Sequence, residues 1–460
     1  MKLLRYTDGW TRRHFLEQSA KGICAAGVLS PLWTAIAETG TCEAAYPPEL
    51  LSIEAYTKGR LKPGDRLDAS NVDIVKDLLE PIAYWEIKQD GRVAELAPTE
   101  TRIDRLMSKP FLEATIRNKG KHKIAPDGNV YTLDGKPWIG GNPFPDPKTP
   151  LEVMASNTLT WSWYDSKSNP IIEWNTDPAG DAQYVYEFLY VMWSTVGRVV
   201  LDPKPYMPGH EKDLRITAVP VTSPEDMRGS AFLQIWAYDQ KVFPEFYGYL
   251  PLLKRTRTFP TDQRFEPGLP GETWFVSEGW CLGDPLLTWG NFKLVGKGPL
   301  LHPASHNAPV DQPNWLHKTC GGRSGNKYFL LRMELVPECY IVELSPTHYP
   351  RSPYSKKRVW YDARTLLPLT METFDRQGKL WQQFEIGFGY YEKSKARQWH
   401  KDIPNDFWDW SSIHALDYQS GRLSRLQEVA EVTGGFGISI NQAEIFGEYC
   451  SMDSLRRLGR

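Results

Sequence analysis

Residues 356–390 of the 460-residue chain read KKRVWYDARTLLPLTMETFDRQGKLWQQFEIGFGY. Bulky apolar residues alternate here with polar ones, which is the pattern of strands that bury one face. Two breaks, at residues 362–365 and 375–378, interrupt the alternation. In the second, Asp375 can accept backbone hydrogen bonds and Gly378 can adopt a positive φ. Three strands joined by two tight turns, without crossover helices, predict an antiparallel meander.

Strand chemistry extends to the N-terminal side of this meander. Residues 184–200 are aromatic and β-branched, and residues 231–238 are apolar on both faces, as in a central strand. Leu159, Trp161 and Trp163 alternate with polar residues, which predicts a further half-buried strand. The predicted fold class is therefore mainly β (α+β): a large, curved antiparallel sheet with helices that close its mouth.

Helical signals concentrate near the two ends of the chain. Asn71 can cap a helix over Val72–Leu79, and an amphipathic stretch over Glu100–Arg117 is interrupted at Pro110. A short helix is expected over residues 151–154, and another over residues 451–460. The predicted organisation is an export signal over residues 1–37, a helical and irregular region over 38–128, and the antiparallel half-barrel with its C-terminal helix over 129–460. The last two regions form one domain.

The first 37 residues have the order of a cleavable twin-arginine export signal. Arg12 and Arg13 are followed by Phe15 and Leu16, then by an apolar run over residues 22–29. Ala35 and Ala37 form a small-residue cleavage site before residue 38. The predicted location is the periplasm, reached by the twin-arginine route after folding. An ordinary amphipathic first helix is the alternative.

Composition excludes some classes of protein. The formal net charge is −2 and the sequence pI is near 6.5, so no basic footprint for nucleic acid is present. No segment after the export signal has eighteen uninterrupted apolar residues. Five cysteines follow the signal, at positions 42, 281, 320, 339 and 450. This odd number leaves the disulfide pairing open.

Motifs for known catalytic chemistry are not found in the sequence. It contains no CxxC pair, no GxSxG elbow and no Walker loop. His302 and His306 are four residues apart, but Pro303 favours a loop over a metal-binding helix. We therefore predict no catalytic residue, no metal site and no cofactor, although a pair of carboxylates distant in sequence would escape such a search.

Aromatic residues are abundant, with 18 Trp, 22 Tyr and 18 Phe. They either fill a bulky core or line an apolar cavity, and composition does not separate these two interpretations. A sheet with large apolar side chains on its concave face can hold a long apolar ligand. The candidate wall residues, chosen for their positions in aromatic strands, are Trp161, Trp236, Tyr238, Trp360, Phe384, Ile386 and Phe388.

Six segments, in the same order along the chain, resemble a proteobacterial family known as domain of unknown function 1329. The resemblance covers roughly residues 60–460. It implies a fold similar to the outer-membrane lipoprotein carriers LolA and LolB, an unclosed antiparallel β-barrel with a helical lid. It also implies that the protein is a periplasmic partner of an inner-membrane exporter of the resistance-nodulation-division type and of an outer-membrane protein. The segments are residues 141–147 with 151–154, 236–238 with 254–257, 291–297, 354–358, 375–381 and 455–460.

Three hypotheses about function follow. The first is a periplasmic carrier for a lipid or another hydrophobic molecule. The second is an exported, carbohydrate-active hydrolase that uses two carboxylates, with tryptophans as sugar-stacking platforms. The third is a structural or adaptor protein of the envelope whose aromatic residues form only a core.

Overall fold

The computed structural model describes residues 30–160, 163–261, 264–279, 285–396 and 405–458. The strands formed by these residues are numbered in chain order. They are β1 (Arg66–Leu67), β2 (Ala94–Leu96), β3 (His122–Ile124), β4 (Val130–Thr132), β5 (Ser166–Thr176), β6 (Ala182–Ser194), β7 (Asp213–Ser223), β8 (Ala231–Ala237), β9 (Glu245–Leu250), β10 (Arg255–Thr258), β11 (Gly290–His302), β12 (Thr319–Cys320), β13 (Tyr328–Phe329), β14 (Leu331–Ser345), β15 (Tyr354–Asp362), β16 (Pro368–Asp375), β17 (Leu380–Tyr391), β18 (Phe407–Asp417), β19 (Leu423–Glu428), β20 (Glu431–Val432), β21 (Phe436–Gly437) and β22 (Ser439–Ile440).

One sheet of 16 strands dominates the described residues. Its strand order is β1-β2-β14-β15-β16-β17-β18-β19-β5-β6-β7-β8-β9-β10, and β11 and β22 pair with β14 and β5 from the side. The pairings are antiparallel except for β2 with β14, which are parallel. Strand β10 does not pair with the strands at the other end, so the sheet is not closed into a barrel. The predicted fold class, mainly β with an unclosed antiparallel sheet, is confirmed.

The predicted meander is β15, β16 and β17, which pair in sequence order as antiparallel neighbours. Its second turn forms as the sequence indicates. Gly378 has a φ of +76°. The Oδ1 atom of Asp375 accepts hydrogen bonds from the backbone N–H groups of Gln377 and Lys379.

Helices lie before, between and after the strands. The α-helices are α1 (Leu32–Thr39), α2 (Pro48–Leu51), α3 (Ile53–Tyr56), α4 (Pro81–Gln89), α5 (Lys109–Asn118), α6 (Pro150–Thr160), α7 (Val276–Gly279), α8 (Lys393–Ala396), α9 (Glu444–Tyr449) and α10 (Met452–Leu458). Short 3-10 turns are found at Glu43–Ala45, Ile103–Arg105, Pro251–Leu253, Leu286–Thr288 and Pro313–Trp315. Val72–Leu78 is a longer 3-10 stretch with a kink at Val75, and Asn71 makes no cap hydrogen bond there, so the predicted helix over Val72–Leu79 was wrong. None of the helices in the described ranges is long and apolar enough to span a membrane.

Two further sequence predictions were wrong. Residues 157–160, expected to be in a strand, form the last turn of α6. This helix begins with a reciprocal cap, because the Thr149 hydroxyl accepts from the Glu152 N–H and the Glu152 carboxylate accepts from the Thr149 N–H. Pro110, expected to interrupt a helix, lies instead in the first turn of α5, where its missing N–H has no consequence.

The faces of the sheet are defined by the residues that stand opposite one another across the strands. We call "front" the face that carries Phe384, Ala415, Ser424, Asn175 and Tyr184, which form one row across β17, β18, β19, β5 and β6.

The opposite, back face is covered by helices. Helices α9 and α10 pack against apolar side chains of β6, including Leu189 and Val191. Ile82 of α4 packs against Leu416 and Leu423 of β18 and β19.

Candidate functional site

A segment between β10 and β11 lies on the front face of the sheet. We call residues 264–279 the strap. At one end, the guanidinium of Arg264 lies 5.6 Å from the centre of the Trp236 ring. At the other end, the ring of Phe275 lies 5.7 Å from that of Tyr354 in β15. The strap therefore crosses the front face from β8 to β15.

Thr273 fixes the middle of the strap to the sheet. Its N–H donates to Ser424 Oγ at 2.8 Å, and its hydroxyl donates to the Ala415 carbonyl at 2.5 Å. Its carbonyl accepts from Gln382 Nε2 at 2.8 Å. The N–H of Ser424 donates in turn to Thr273 Oγ1 at 3.1 Å. The side chains of Ser424 and Gln382 thus satisfy the backbone N–H and carbonyl of Thr273. Together, the four hydrogen bonds fix the strap to β17, β18 and β19.

Beside Thr273, two carboxyl groups meet between the strap and the sheet. Glu272 of the strap and Glu173 of β5 are both buried and lie close enough for the charge of Glu173 to act on Glu272. Burial raises the pKa of Glu173 to about 7. Burial and the charge of Glu173 raise the pKa of Glu272 well above its ordinary range. The pair therefore holds at least one proton at neutral pH, which allows the two groups to be in contact.

Each of these carboxyl groups also holds part of the strap. Glu173 Oε1 accepts from the indole N–H of Trp274 at 3.1 Å. Glu272 Oε2 accepts from the backbone N–H of Leu269 at 2.8 Å. In the part of the chain that the structure describes, neither carboxylate forms an ion pair with a Lys, Arg or His.

An apolar groove lies between the strap and strands β6 to β9. Its cavity volume is about 90 Å³. This is smaller than most small-molecule sites, but the groove is concave and mostly apolar as they are. The groove is lined from the sheet by Phe188, Thr217, Val219, Val221, Phe232, Gln234 and Phe246, and from the strap by Gly268, Leu269, Glu272, Trp274 and Val276.

A second hollow lies further along the front face. It shares an apolar cluster with the groove, because Tyr190 and Met192 of β6 pack in the same cluster as Phe188. Its polar side is the ion pair between Lys167 and Asp409. The lining residues are Trp163, Tyr164, Lys167, Tyr190, Met192, Leu367, Trp408, Asp409 and Trp410.

Asp409 in the second hollow also contacts another buried carboxyl group. Burial and the charge of Asp409 raise the pKa of Glu428 well above its ordinary range, and a hydrogen bond joins the two side chains. Asn169 donates to both carboxyl groups. The charge of this cluster is thus balanced internally, by Lys167 and by a shared proton.

The separation of the two carboxyl groups in each pair can be compared with that of the catalytic carboxyls in glycosidases. Glycosidases hold their two catalytic carboxyls roughly 5–9.5 Å apart, so that substrate and water fit between them. In both Glu173 with Glu272 and Asp409 with Glu428, the charge of the first carboxyl group raises the pKa of the second. The described residues contain no group of three or more His, Cys, Asp or Glu that could hold a metal ion.

The predicted wall residues take up different positions. Trp236, Phe384 and Phe388 are buried in the largest core cluster, and Ile386 packs against it. Trp274 of the strap covers Phe384, with ring centres 6.5 Å apart. None of these four lines the groove. Their assignment to a ligand wall stays a prediction.

The other two described candidates, Trp360 and Tyr238, do not line the groove either. Trp360 stands opposite Thr370, which stands opposite Glu385, so its side chain is on the back face. The hydroxyl of Tyr238 accepts from the Trp138 N–H at 2.7 Å and donates to the Val130 carbonyl at 2.5 Å.

Several other predicted residues lie outside the described residues or in unexpected surroundings. Trp161, Cys281 and the export-signal residues Arg12, Arg13, Phe15 and Leu16 are outside the described ranges. Ala35 and Ala37 lie in α1, whose Trp33 and Ile36 are buried in the largest core cluster. Cys42, Cys320, Cys339 and Cys450 are free thiols.

The groove residues were missed in the sequence, although a signal for some of them exists. Tyr186, Phe188, Tyr190 and Met192 alternate along β6 and share the front face. Val219 and Val221 do the same in β7. The contribution of the strap has no local signal, because it depends on where a loop crosses a sheet that is distant in sequence.

Together, an open antiparallel sheet, a strap across its front face and an apolar groove between them define a mostly β protein of the open-barrel class. The sequence matches the profile of the family described as "Protein of unknown function (DUF1329)" over residues 66–456. The chain belongs to this family, as its six segments predict. The family description assigns no activity.

The chain also shows partial similarity to solved structures from several bacteria. One, from Vibrio parahaemolyticus, is described as an outer membrane lipoprotein-sorting protein domain; it is 14% identical, with a TM-score of 0.41 over 68% of this chain and 97% of that one. A DUF1329 family protein from Desulfovibrio piger is 12% identical, with a TM-score of 0.42 over 67% and 100%. A LolA superfamily protein from Nitrosomonas europaea is 13% identical, with a TM-score of 0.35 over 66% and 99%. No curated protein sequence matches the chain.

Proposed function

We propose that this protein is a carrier that binds an apolar molecule, such as the hydrocarbon part of a lipid, in the groove between the strap and strands β6 to β9. The observation that supports this proposal is the lining of the groove. Phe188, Val219, Val221, Phe232 and Phe246 line it from the sheet, and Leu269, Trp274 and Val276 line it from the strap.

Apolar burial supplies the binding energy in this proposal. Removing apolar surface from water is worth about 25 cal/mol per Å², or about 0.8 kcal/mol per methylene. A chain of some twelve methylenes therefore gains on the order of 10 kcal/mol before entropic losses. The few polar groups in the lining, Thr217 and Gln234 among them, leave most of the wall available for such contacts.

The proposed place of action is the periplasm, with export by the twin-arginine route. The order of residues 12–37 supports it. We also propose that the carrier acts between an inner-membrane exporter of the resistance-nodulation-division type and the outer membrane. The resemblance of six sequence segments supports this part of the proposal.

The groove is tested by filling it. Val219 is half-buried in the lining, so Val219→Trp places an indole in the space that a ligand needs. Val185 is 41% exposed on β6, and Val185→Trp is the matched control. The probe is N-phenyl-1-naphthylamine, an uncharged apolar dye that becomes fluorescent when it leaves water.

We expect the wild type and Val185→Trp to bind the dye with equal affinity, and Val219→Trp to bind it at least about tenfold more weakly, which corresponds to roughly 1.4 kcal/mol. A wild type that does not bind the dye, or equal binding by all three proteins, contradicts the proposal. Native mass spectrometry of protein isolated from the periplasm provides a second test, because a carrier should retain an apolar molecule after gentle purification.

A further inference from the structure

Two polar residues lie side by side at one end of the mostly apolar groove. Thr217 of β7 and Gln234 of β8 stand directly opposite each other, and both line the groove. The next pair that lines it on the same two strands, Val219 with Phe232, is apolar. Val221, two residues further along β7, also lines the groove. The wall therefore changes from polar to apolar over about 13 Å of β7, at roughly 3.3 Å per residue.

The carboxamide of Gln234 is buried without a partner for its oxygen. The residue is 3% exposed, and its Oε1 atom has no hydrogen-bond partner among the described residues. A buried acceptor without a hydrogen bond is unfavourable and is rare in native proteins. A molecule in the groove that donates a hydrogen bond to Gln234 would remove this cost.

The hydroxyl of Thr217 can complete the contact from the other side. It accepts a hydrogen bond from the indole N–H of Trp236 at 3.2 Å, which leaves its own proton available for an acceptor in the groove. Thr217 thus offers a donor and Gln234 an acceptor, from two positions whose Cβ atoms are about 5 Å apart. One hydroxyl group is both a donor and an acceptor, so a single ligand hydroxyl can bond to both side chains.

The charge of the lining restricts which polar group fits. Among the described residues that line the groove, Glu272 is the one ionisable group, and no Lys, Arg or His is present. A carboxylate or phosphate would therefore lose its hydration there without gaining a cation. The lining favours an uncharged polar group.

We propose that the groove selects an uncharged alcohol, whose hydrocarbon part lies along Val219 and Val221 and whose hydroxyl group donates to Gln234 and accepts from Thr217. This inference rests on the proposed carrier function. It adds the chemical class of the ligand, and it makes Gln234 the residue that distinguishes an alcohol from other apolar molecules of the same size.

A pair of isomeric ligands tests the role of Gln234. Decanol and nonyl methyl ether consist of the same atoms and have a similar length, but only the alcohol has a hydrogen to donate. Each is used to displace diphenylhexatriene, a hydrocarbon dye that becomes fluorescent when it leaves water. The variant is Gln234→Met, which keeps the length of the side chain and removes its amide. Gln183→Met, at an exposed position of β6, is the matched control.

The measured quantity is the ratio of the two dissociation constants, ether over alcohol. We expect this ratio to be about tenfold higher in the wild type than in Gln234→Met, because only the wild type pairs the hydrogen of the alcohol. Gln183→Met should keep the wild-type ratio. A change in the size of the groove affects both isomers alike and cancels in the ratio. Gln234→Leu should give the same low ratio, and it replaces Gln234→Met if that variant does not fold.

Urea unfolding separates ligand recognition from a structural role. Because the amide oxygen of Gln234 has no partner within the described ranges, Gln234→Met removes no hydrogen bond to that oxygen. The empty variant should therefore unfold at the same or a higher urea concentration than the wild type. A lower midpoint together with an unchanged ratio of dissociation constants would assign Gln234 a structural role and overturn the inference.

The outcomes distinguish this inference from the carrier function. If the dye and both isomers bind but the ratio is the same in all variants, water satisfies Gln234 and the inference is wrong, while the carrier function stands. If the wild type binds neither the dye nor either isomer, the carrier function itself fails. Tighter binding of decanoate than of decanol at neutral pH would also overturn the inference, because it would show that the groove takes an anion.

Discussion

Glu272 of the strap lies beside Glu173 of β5 on the front face of the sheet, and neither forms an ion pair with a cation among the described residues. Burial raises the pKa of both carboxyl groups. The stability of the whole protein therefore depends on pH in a direction that can be worked out.

The first prediction concerns that dependence. The pKa of Glu173 is raised by burial to about 7, above the ordinary value of about 4.3 in an unfolded chain. The folded state therefore binds the proton more tightly, and stability from this group is complete below about pH 4 and is lost as the pH rises through about 7. In urea unfolding, Glu173→Gln should lose less stability than the wild type between pH 5 and pH 8, by roughly 3 kcal/mol at most.

The control for this measurement is Glu211→Gln, which changes an exposed carboxylate in the turn before β7. Its unfolding free energy should follow the wild type at each pH. Parallel curves for Glu173→Gln and the wild type would mean that the carboxyl pair does not bind its proton as tightly as its burial indicates.

Local chemistry explains why the meander could be predicted. The turn at residues 375–378 is specified by Asp375 and Gly378, and the alternation around it specifies which residues face one another. The last turn of α6 was mistaken for a strand because alternation over residues 159–163 is too short to separate the two periods. The cap formed by Thr149 and Glu152 marks the start of a helix, and the strand prediction did not take it into account.

The faces on which the candidate wall residues lie could not be predicted, because faces are set by register. Trp360 and Phe384 are both in aromatic strands, but the pairing of β15 with β16 and β17 places them on opposite faces. The strap could not be predicted from the sequence, since its partners Ser424, Ala415 and Gln382 lie more than a hundred residues away from Thr273.

The second prediction concerns Arg92, which is completely buried behind the sheet between two carboxylates. Its Nη1 atom lies 2.5 Å from Glu86 and 3.0 Å from Glu385. Burial acts to raise the pKa of Glu385, but Arg92 and a hydrogen bond with His414 hold it far below its ordinary range. Arg92→Ala leaves these charges without a partner and should lower the unfolding free energy by about 3–5 kcal/mol.

Arg102→Ala is the matched control, because Arg102 pairs with Asp104 at the surface, where both side chains are about half exposed. It should change the unfolding free energy by about 1 kcal/mol or less. A similar small effect at Arg92 would contradict the account of the buried cluster.

The third prediction separates a structural residue from a ligand wall. The Tyr238 hydroxyl bonds to Trp138 and Val130 and has no position in the groove. Tyr238→Phe should lower the unfolding free energy by about 1–3 kcal/mol, because it leaves a buried N–H and a buried carbonyl unsatisfied. Dye affinity should stay within twofold of the wild type. Loss of dye binding at unchanged stability would place Tyr238 at the ligand instead.

The fourth prediction concerns export. Replacing Arg12 and Arg13 together by Lys keeps the charge of the signal and removes the arginine pair that the twin-arginine route recognises. We expect the variant to remain in the cytoplasm, whereas the wild type is recovered from the periplasm in cell fractionation. Replacing the exposed Arg60 and Lys62 by Lys and Arg is a control outside the signal, and it should leave export unchanged. Periplasmic recovery of the Arg12 and Arg13 variant would exclude this route.

The fifth prediction concerns the start of the exported protein. Cleavage after Ala37 would remove Trp33 and Ile36, which are 2% and 1% exposed in the largest core cluster. Burial of Ile36 is worth about 1.5–3 kcal/mol by itself, so a chain that begins at residue 38 should unfold at a lower urea concentration than one that begins at residue 30. The mass of the periplasmic protein then decides which form the cell uses. We expect a protein that begins at Glu38. A mass that includes Trp33 would mean that α1 stays docked against the core and that the cleavage site lies elsewhere.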